Sequence, residues 1–552
     1  MKYLLTIALG PVQEFIAAAR RTADLTAGSR LLSDIAQNIA QFLESQGAQL
    51  IFPSRTQQAA PNKLLCIIEG EPHKIAQHAK ERALDKLRTE WNQAFSKMSA
   101  DVQQLIDDEL VNWQLKNFLE FYAAWVPLNG DYKSARTRVD QILAGRKALR
   151  DFKQPYKYPK HPKSPLDPAM DSAFKTEAHG DGFSVPAEAQ ADPELRLKPR
   201  ETLDAISLIK RVRGQKGVPS TREMAFRAFK EVLPQEALDA YRALQYWQEQ
   251  LGVDDFSDLF YQENWRRLLK ERTQESQWNL SADDLAEIEQ SASKLHRALQ
   301  KKGIPYECLS YYAVLVADGD RMGETLNQMS TPKQHQEFSR RVADFADEAR
   351  RIVKEKYRGR LVYCGGDDVL ALLPTDRALS CAYALRQSFE HILQPVMPNG
   401  KQATLSVGIA IVHSMENLQV ALEWARETER LAKRTRNALA VARYPRSGGA
   451  NRYSAPWERY EEWDTWTEAF HHGLANGFPY ELRQLVSEYR ALNPEGEFLR
   501  REANRVLERK QKPQRPFEIP AWVDSIEMLD AFVEMLLIAR FLAGYKRKEA
   551  QP

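Results

Sequence analysis

The clearest pattern of apolar and polar positions in this chain lies between residues 310 and 442. Residues 311–317 form an unbroken apolar run, which predicts a central strand buried on both faces. The segments that follow have apolar residues at helical spacing or at every second position. They predict a helix over 338–353, strands over 361–364 and 369–373, a helix over 379–392, a strand over 405–411 and a helix over 418–431. This βαββαβ order, with one further helix, is that of a ferredoxin-like palm domain.

The first 130 residues repeat this order more loosely. The same criteria predict strands over 3–9, 50–53, 64–68 and 121–126, and helices over 12–44 and 72–100. No paired carboxylates lie between the two middle strands of this copy. We therefore predict an α+β protein with two nucleotide-cyclase-like palm domains, of which the first is non-catalytic.

Composition shifts divide the rest of the chain. Residues 153–168 hold five prolines, too many for a helix or a central strand, and residues 201–300 are mostly helical in pattern. After Gly448-Gly449 the pattern is helical again, and an apolar stripe over 528–539 predicts a bundle core. The predicted domains are a first palm over 1–152, a linker and helical domain over 153–308, a second palm over 309–445 and a C-terminal helical domain over 446–552.

Composition limits the class of protein but not its partners. A chain of 552 residues exceeds the size at which one core keeps growing, and 43% apolar with 28% charged residues is typical of a globular protein. The net charge of +3 gives no argument for a nucleic-acid partner. No apolar segment approaches the roughly 20 residues needed to span a bilayer, and the N-terminus lacks a signal-peptide cleavage pattern. We expect no membrane association.

The four cysteines are far apart in sequence, and none belongs to a Cys-x-x-Cys pair. They are Cys66, Cys308, Cys364 and Cys381. Two of them lie inside apolar runs that predict strands. We expect buried, reduced thiols in a cytoplasmic protein, with neither a disulfide nor a thiolate-held zinc site.

The candidate chemistry begins with a turn between the two short strands of the second palm, Gly365-Gly366-Asp367-Asp368. Glycines allow the backbone to approach a triphosphate closely, and carboxylate oxygens suit Mg²⁺ or Mn²⁺. An ordinary acidic hairpin turn is the alternative, since Gly and Asp favour turns for conformational reasons alone.

A third carboxylate, Asp318, directly follows the buried strand over 311–317. In the palm topology that strand neighbours the hairpin, so Asp318 is expected to face Asp367 and Asp368. Carboxylates this close repel one another unless cations neutralise them. Two Mg²⁺ ions would do so, one activating a ribose hydroxyl and the other stabilising the leaving pyrophosphate. Gly319 is expected to leave room for phosphate, whereas a capping role suits Asp320 better.

Basic residues on the last predicted helix could hold a triphosphate. Lys433 and Arg436 lie three positions apart, which on a helix places them on one face. A solvated basic face is the alternative for this pair. His413 ends a strand near the predicted site, where a lone histidine more often has a structural role.

These residues resemble a known family. Residues 315–323 and 363–373 are similar to the large polymerase-cyclase subunit of type III CRISPR effector complexes, and within it to the type III-B, or Cmr, branch. Residues 10–16, 19–20 and 24–33 resemble the first palm of that branch. Further similar segments are 210–211, 219–225 and 473–483, so the resemblance spans nearly the whole chain in order.

The resemblance implies an activity and a set of partners. The family makes cyclic oligoadenylates from ATP when its complex binds target RNA. Asp318, Asp367 and Asp368 would then be metal ligands, and Gly365 and Gly366 the phosphate-facing turn. Implied partners are the guide RNA, target RNA and other Cmr subunits, including a small helical one. No His-Asp dipeptide occurs among the ten histidines, so an HD nuclease is not expected, and neither is a zinc site between the palms.

Two other functions stay open at this point. A stand-alone nucleotide cyclase, of the GGDEF-like or class III type, explains the second palm but gives the first palm and the C-terminal helices no role. A catalytically silent scaffold subunit needs no converging carboxylates. The three aspartates therefore favour the enzyme.

Overall fold

In the residues described by this computed structural model, two β-sheets with helices on their faces organise the chain, which confirms the predicted α+β class. Those residues are 1–56, 61–149, 161–178, 183–195, 197–214, 217–230, 233, 235–251, 257–260, 280–301, 306–492, 494–510 and 517–546. The first half of the predicted proline-rich linker, residues 153–160, lies outside them. Across the described ranges, no helix is both long and apolar enough to cross a membrane.

The first palm forms the N-terminal part of the chain. Its elements are β1 (Lys2–Gly10), α1 (Gln13–Ala17), α2 (Thr22–Ser45), β2 (Gln49–Phe52), β3 (Lys63–Glu69), α3 (Pro72–Phe95), α4 (Ala100–Leu105), α5 (Asp108–Phe118), β4 (Glu120–Pro127) and α6 (Tyr132–Ala148). The strands form an antiparallel sheet in the order β2-β3-β1-β4. The single helix predicted over 12–44 is two helices, separated by residues 18–21.

Of the described helices that lie between the two sheets in sequence, some pack on the first palm and others on the second. They are α7 (Ala187–Ala191), α8 (Ala205–Arg213), α9 (Thr221–Lys230), α10 (Gln235–Gln250), α11 (Ser257–Phe260) and α12 (Ala282–Lys301). Helix α8 packs on α2 and α3 of the first palm. Helices α9, α10 and α12 contribute to the same apolar cluster as the second sheet.

The second palm follows the predicted order of strands and helices. Its elements are β5 (Tyr311–Gly319), α13 (Met322–Leu326), α14 (Pro332–Arg351) continued by a π-helical turn (Ile352–Lys356), β6 (Arg360–Cys364), β7 (Val369–Pro374), α15 (Ala378–Leu393), β8 (Leu405–His413), α16 (Leu418–Thr435), β9 (Ala438–Tyr444) and β10 (Asn451–Pro456). The sheet order is β10-β9-β8-β5-β7-β6, with β8 and β9 parallel. Strand β5 is central and buried, as its unbroken apolar run predicts.

Helix boundaries in this palm have local causes. Pro332 occupies the first turn of α14, where its missing N–H is not needed, and the Thr331 hydroxyl accepts a hydrogen bond from the Gln334 amide at 3.2 Å. At the start of α16, the Asn417 side chain accepts from the Gln419 amide at 2.8 Å.

The C-terminal part is helical, after one strand that the sequence pattern did not predict. Its helices are α17 (Glu461–His471), α18 (Phe478–Tyr489), α19 (Gly496–Glu508) and α20 (Ile526–Ala543). The helical prediction immediately after Gly449 is wrong, because β10 pairs antiparallel with β9 and extends the second sheet. Short 3-10 turns lie at Thr176–Ala178, Tyr306–Ser310, Thr375–Arg377, Gln394–Val396, Pro398–Gly400 and Trp457–Arg459.

Helix α20 is buried around most of its circumference. The single apolar stripe predicted over 528–539 is therefore incomplete: Val533, Leu537 and Ile538 are also buried, while Met528 is 40% exposed. The reason is that α20 packs on α17, α18 and β10 at once. This arrangement agrees with the predicted role as a bundle core.

The two palms meet through a reciprocal contact. Helix α14 of the second palm packs on β2 of the first, and α2 of the first packs on β6 of the second. The Asn62 amide donates to the Tyr363 hydroxyl at 3.3 Å across this interface. On the other side, the Tyr132 hydroxyl and His335 Nδ1 are 2.7 Å apart in a buried hydrogen bond.

We expect low pH to weaken this interface between the palms through protonation of His335. Burial, and next the positive charge of Arg136, lower the pKa of His335 to about 3. In the unfolded chain His335 therefore becomes protonated near pH 6.5, whereas in the folded chain it stays neutral down to about pH 3. The stability contributed by the neutral ring is complete above that pH and is lost as the pH falls from about 6.5 towards 3, by at most ~1.4 kcal/mol per pH unit.

Thermal unfolding between pH 7.5 and 5 measures this effect. His335→Gln should flatten the fall of the unfolding midpoint relative to the unmodified chain, and the exposed His73→Gln should not. Equal slopes in all three proteins would show that His335 does not control the interface.

Candidate active site

The structure brings the three predicted aspartates together. Strand β5 pairs with β7 up to Ala317 opposite Val369, so the next residue of β5, Asp318, lies beside the hairpin turn. The Asp318 and Asp368 carboxyl groups are hydrogen-bonded, and the Asp318 charge acts on Asp367. Carboxylates 49 positions apart in sequence (367 − 318) thus share one small site.

The electrostatics of this cluster favour protonation when no cation is present. Burial, and next the Asp318 carboxylate, raise the pKa of Asp367. Burial, the hydrogen bond with Asp318 and the Asp367 charge raise the pKa of Asp368. The mutual repulsion predicted from the sequence is therefore present, and positive charge at this position would relieve it.

Lys433 supplies one positive charge to the site. Its Nζ is ion-paired with the Asp318 carboxylate and donates to the carbonyl oxygens of Asp318 at 2.8 Å and Gly319 at 2.9 Å. Burial disfavours the charged amine, but the hydrogen bond to Asp318 and the charges of Asp318 and Asp320 outweigh it, so the pKa of Lys433 is raised. Lys433 is thus a residue of the site rather than of a solvated face.

Asp320 supports the site from behind, a role that the sequence analysis described only as capping. It is 5% exposed and accepts hydrogen bonds from the Ser406 hydroxyl at 2.7 Å, the Asn437 amide at 2.8 Å and Lys433 Nζ at 3.2 Å. These bonds join β5, β8 and the end of α16. The available signal was the spacing of two from Asp318, which on extended backbone puts both side chains on one side.

Two other predicted positions do not join the cluster in the way expected. Helix α16 ends at Thr435, and Arg436 follows it with φ of 61°, exposed, so Arg436 does not share a helical face with Lys433. His413 pairs with Tyr311 at the start of β5, whereas Gly319 pairs with Leu405. Because β8 runs antiparallel to β5, His413 lies at the opposite end of the sheet from Asp318.

The glycines near the aspartates have separate structural reasons. Gly366 has φ of 109°, which favours glycine, and a Cβ on Gly365 would lie 1.6 Å from the Tyr363 hydroxyl oxygen. At Gly319 a Cβ would lie within 3.0 Å of Met322, Phe389 and Asp367 atoms. Protein side chains fill the position of that Cβ, and the expectation that Gly319 leaves room for phosphate stays a prediction. A phosphate contact by the Gly365-Gly366 backbone stays a prediction.

Two clefts lie beside the turn, each built from both palms. One, of about 360 Å³, is lined by α2 residues including Arg30 and by β6 residues including Arg360 and Tyr363. Arg360 Nε and Nη2 are buried and have no hydrogen-bond partner among the described residues. Burial, and next the charges of Arg30 and Arg227, lower the pKa of Arg360. An anion entering this cleft would meet uncompensated positive charge.

The second cleft is smaller, with a volume of about 30 Å³, and lies beside Gly366 of the turn. Phe52 of the first palm, Val342 and Asp347 of α14, and Gly366 line it. A Cβ on Gly366 would lie 3.9 Å from the Phe52 ring, so the first palm closes directly over the turn. The two clefts follow from the reciprocal packing of the palms.

Helix α16 holds Lys433 in place by lying directly on β8. A Cβ on Gly408 of β8 would lie 2.2 Å from the backbone nitrogen of Glu429. Burial raises the pKa of Glu429 to about 7 against the opposing charge of Lys433, with Asp318 adding to the rise. Glu429 is thus a further carboxylate near the site, after Asp318, Asp320, Asp367 and Asp368, and sequence reasoning missed it because only the close helix–strand contact brings it there.

We expect Gly408→Ala to destabilise the second palm. The new methyl group cannot be accommodated against helix backbone without moving α16, at a cost of about 1–3 kcal/mol or more. The thermal unfolding midpoint measures this cost. Gly145→Ala, on an exposed helix position with open space around it, is the matched control and should be neutral or stabilising by about 0.5–1 kcal/mol. Equal midpoints for both variants would contradict the close contact.

The cluster has the chemistry of a divalent-cation site. Its donors are hard carboxylate oxygens, and the raised pKa values of Asp367 and Asp368 reflect a need for positive charge. In the arrangement given by the described residues, no group of three or more His, Cys, Asp or Glu side chains is placed to hold a metal ion. Asp318 is directed to Lys433 and Asp368 instead. The residue types of the cluster thus fit a divalent cation, although Asp318 would have to turn away from Lys433 to bind one.

Two parts of the chain match the models of related protein-family domains. Residues 311–440 match the second palm domain of Cas10/Cmr2, and residues 4–96 match the N-terminal domain of the CRISPR-associated protein Cmr2. The first range contains Asp318, Asp367, Asp368 and Lys433. The second contains most of the sheet and the helix α2 of the first palm.

Individual relatives agree with this assignment. The chain is 33% identical over 233 residues to the CRISPR system Cmr subunit Cmr2 of Pyrococcus furiosus, a match that covers 37% of this chain and only 25% of the relative. Its fold resembles a chain of the type III-B Cmr-beta complex in the apo state, with a TM-score of 0.69, 11% identity and coverage of 99% and 82%.

Two further solved structures have a related fold. The Cmr-beta complex bound to cognate target RNA gives a TM-score of 0.67 at 12% identity, covering 99% of this chain and 83% of the other. A Csm1–Csm4 cassette in complex with pppApApA gives 0.51 at 14% identity, covering 98% and 69%. At such identities the likeness concerns the fold.

Proposed function

We propose that this chain, of which residues 311–440 and 4–96 match domains of the Cas10/Cmr2 family, is the large subunit of a type III-B CRISPR effector complex that makes cyclic oligoadenylates from ATP when target RNA is bound. The observation that carries the proposal is the convergence of Asp318, Asp367 and Asp368 at a turn covered by a second palm. A scaffold has no need for three converging carboxylates, of which Asp367 and Asp368 have raised pKa values.

Asp318, Asp367 and Asp368 are the residues that would hold Mg²⁺ or Mn²⁺. When bound, such ions acidify a ribose hydroxyl and stabilise charge on the departing pyrophosphate. Lys433 lies within the same cluster and carries the charge to contact a triphosphate. The bond formed joins the 3′-oxygen of one adenylate to the α-phosphorus of another; the bond to the β-phosphate breaks, and the hydroxyl proton leaves with solvent.

The larger cleft, of about 360 Å³, suits a nucleotide, whereas the smaller one, of about 30 Å³, does not have the volume for one. Arg30 and Arg360 give the larger cleft an excess of positive charge for phosphates, and Phe52 covers the other cleft next to Gly366. An ATP molecule in the larger cleft would have its phosphates beside the strand that leads to the acidic turn. The similarly folded Csm1–Csm4 cassette in complex with pppApApA supports an oligoadenylate product.

The partners are proposed from the family. The similarly folded Cmr-beta chain belongs to a complex bound to cognate target RNA, and the curated relative is a Cmr subunit. We therefore expect guide RNA, target RNA and other Cmr subunits, including a small helical one, to surround this chain in the cytoplasm. A stand-alone cyclase is the weaker alternative, because it gives the C-terminal helices no role and the similarly folded Cmr-beta chains belong to complexes.

The proposal is tested by product identification. The complex assembled on its guide RNA is incubated with ATP, Mg²⁺ and either matching or non-matching target RNA, and products are analysed by mass spectrometry. We expect cyclic oligoadenylates with matching RNA and at least about tenfold less without it. Product that is independent of RNA would favour the stand-alone cyclase. No nucleotide product under any condition would favour the scaffold.

A further inference from the structure

A second polar cavity lies far from the aspartates. It has a volume of about 580 Å³ and lies between the second sheet and the C-terminal helices α18 and α20. Tyr311, at the start of β5, forms part of its wall. Asp318 is seven positions further along the strand than Tyr311 (318 − 311), which corresponds to about 23 Å. The cavity is therefore a separate site from the proposed cyclase centre.

The charge of this cavity is strongly positive. Arg443, Arg446, Arg483 and Arg540 line it, and its lining contains no aspartate or glutamate. One carboxylate, Glu534, lies behind the wall and is ion-paired with Arg483. Glu534 also accepts from the Asn451 amide at 3.0 Å and the Arg452 backbone amide at 3.2 Å. The Glu534 carboxylate therefore makes its hydrogen bonds and its ion pair to residues of the wall and neutralises little of the charge inside the cavity.

Two of the arginines are held in fixed orientations. Arg443 is 8% exposed, with its guanidinium carbon 4.2 Å from the centre of the Phe541 ring and 5.6 Å from that of Tyr311. Arg540 donates from Nη2 to the Tyr480 hydroxyl at 3.1 Å. Its Nε is buried and makes no hydrogen bond to a described residue. Planar forks fixed in this way are suited to bind phosphate, because little side-chain freedom is lost on binding.

His413 adds a neutral donor to the cavity. Its Nδ1 accepts a hydrogen bond from the Met415 amide at 3.1 Å, which leaves Nε2 to carry the proton of a neutral ring. Burial, and next the Arg446 charge, lower the pKa of His413 to about 4, against the nearby Glu416. His413, which the sequence analysis expected near the aspartates, thus lines this cavity instead.

We propose that this cavity binds a phosphorylated nucleotide, with the phosphate groups held by the arginines and the base stacked on the exposed ring of Tyr480. The volume is that of a small-ligand site, and Tyr480 is 49% exposed, which leaves ring surface for stacking. A free nucleotide and a segment of single-stranded RNA present the same phosphate chemistry. The inference does not depend on the proposed cyclase activity.

Chemical protection of arginine tests the site directly. The full chain is treated with phenylglyoxal in EDTA, and modification of Arg446, Arg483 and Arg540 is followed by peptide mass spectrometry. The probes are ATP, a six-nucleotide single-stranded RNA, and adenosine, which has no phosphate. We expect ATP or the RNA to slow modification of these arginines about tenfold, and adenosine to have no effect. The probe with the lower half-protecting concentration identifies the source of the phosphate.

A double variant provides the second measurement. In Arg446→Gln with Arg540→Gln, the concentration of probe that half-protects Arg483 should rise about a hundredfold, roughly tenfold for each charged contact removed. Arg501→Gln with Arg505→Gln, on the exposed face of α19, is the matched control and should leave it unchanged. Protection by adenosine equal to that by ATP, absence of protection by both phosphate probes, or an unchanged value in the cavity variant would overturn the proposal.

Discussion

Replacing Asp367 and Asp368 together with alanine is expected to reduce ATP-dependent product formation by at least about a thousandfold while leaving complex assembly intact. The change removes two of the three carboxylates that would hold the cations, and such ions contribute several kcal/mol of transition-state stabilisation. The fold should persist, because both side chains are only half-buried and their raised pKa values show that their removal relieves repulsion. Initial rates of product formation, measured by chromatography, give the result.

The chain offers a matched control for this experiment. Asp283 and Asp284 form another adjacent pair of aspartates, at the start of α12, outside the site. Asp283→Ala with Asp284→Ala should leave the rate of product formation within about twofold of that of the unmodified complex. If the Asp367 and Asp368 variant retains its activity, the assignment of the metal ligands is wrong, even if the chain proves to be an enzyme.

Arg211→Ala is expected to loosen the first palm by about 3–5 kcal/mol, because it leaves buried carboxylates without their partner. Arg211 Nε lies 3.1 Å from both oxygens of Asp24 on α2, and Nη2 lies 3.1 Å from Glu201 Oε1. All three side chains are at most 3% exposed. Burial opposes ionisation of Glu201, but the charge and hydrogen bond of Arg211 lower its pKa to about 2.

Hydrogen–deuterium exchange of the α2 and α8 amides measures this effect locally, which suits a chain of several domains. Exchange of the slowest amides should become roughly a hundredfold to several thousandfold faster in Arg211→Ala. Arg211→Lys keeps the charge without the planar fork, and its exchange rates should lie between those of the unmodified chain and of Arg211→Ala. The exposed Arg200→Ala is the control. Unchanged exchange in Arg211→Ala would mean that this network does not hold α8 on α2.

Much of the fold could be predicted from the sequence because its elements are regular. Unbroken apolar runs and helical spacing identified β5, α14, α15, β8 and α16 to within a few residues. Strand β10 was missed because it is a short edge strand that follows a Gly-Gly pair and has few apolar residues. Helices α1 and α2 were merged because the break over residues 18–21 carries neither proline nor glycine.

The site was predictable only where topology alone fixes a position. Asp318, Asp367 and Asp368 lie at a strand end and its neighbouring turn, so their meeting follows from strand order. The roles of Asp320, Glu429 and Arg360 depend on how closely helices and the other palm approach, and no local pattern encodes such distances. His413 was misplaced for a related reason, since the antiparallel direction of β8 reverses which end of the strand is near the site.

The reciprocal packing of the palms has a consequence for how the protein behaves at low abundance. A site formed between two identical chains is lost when the chains separate on dilution, whereas here both palms are segments of one polypeptide. Covalent linkage keeps their effective concentration in the millimolar range whatever the number of molecules in the cell. Two segments encoded separately within one gene are also free to diverge, so one half can retain the acidic turn while the other loses it.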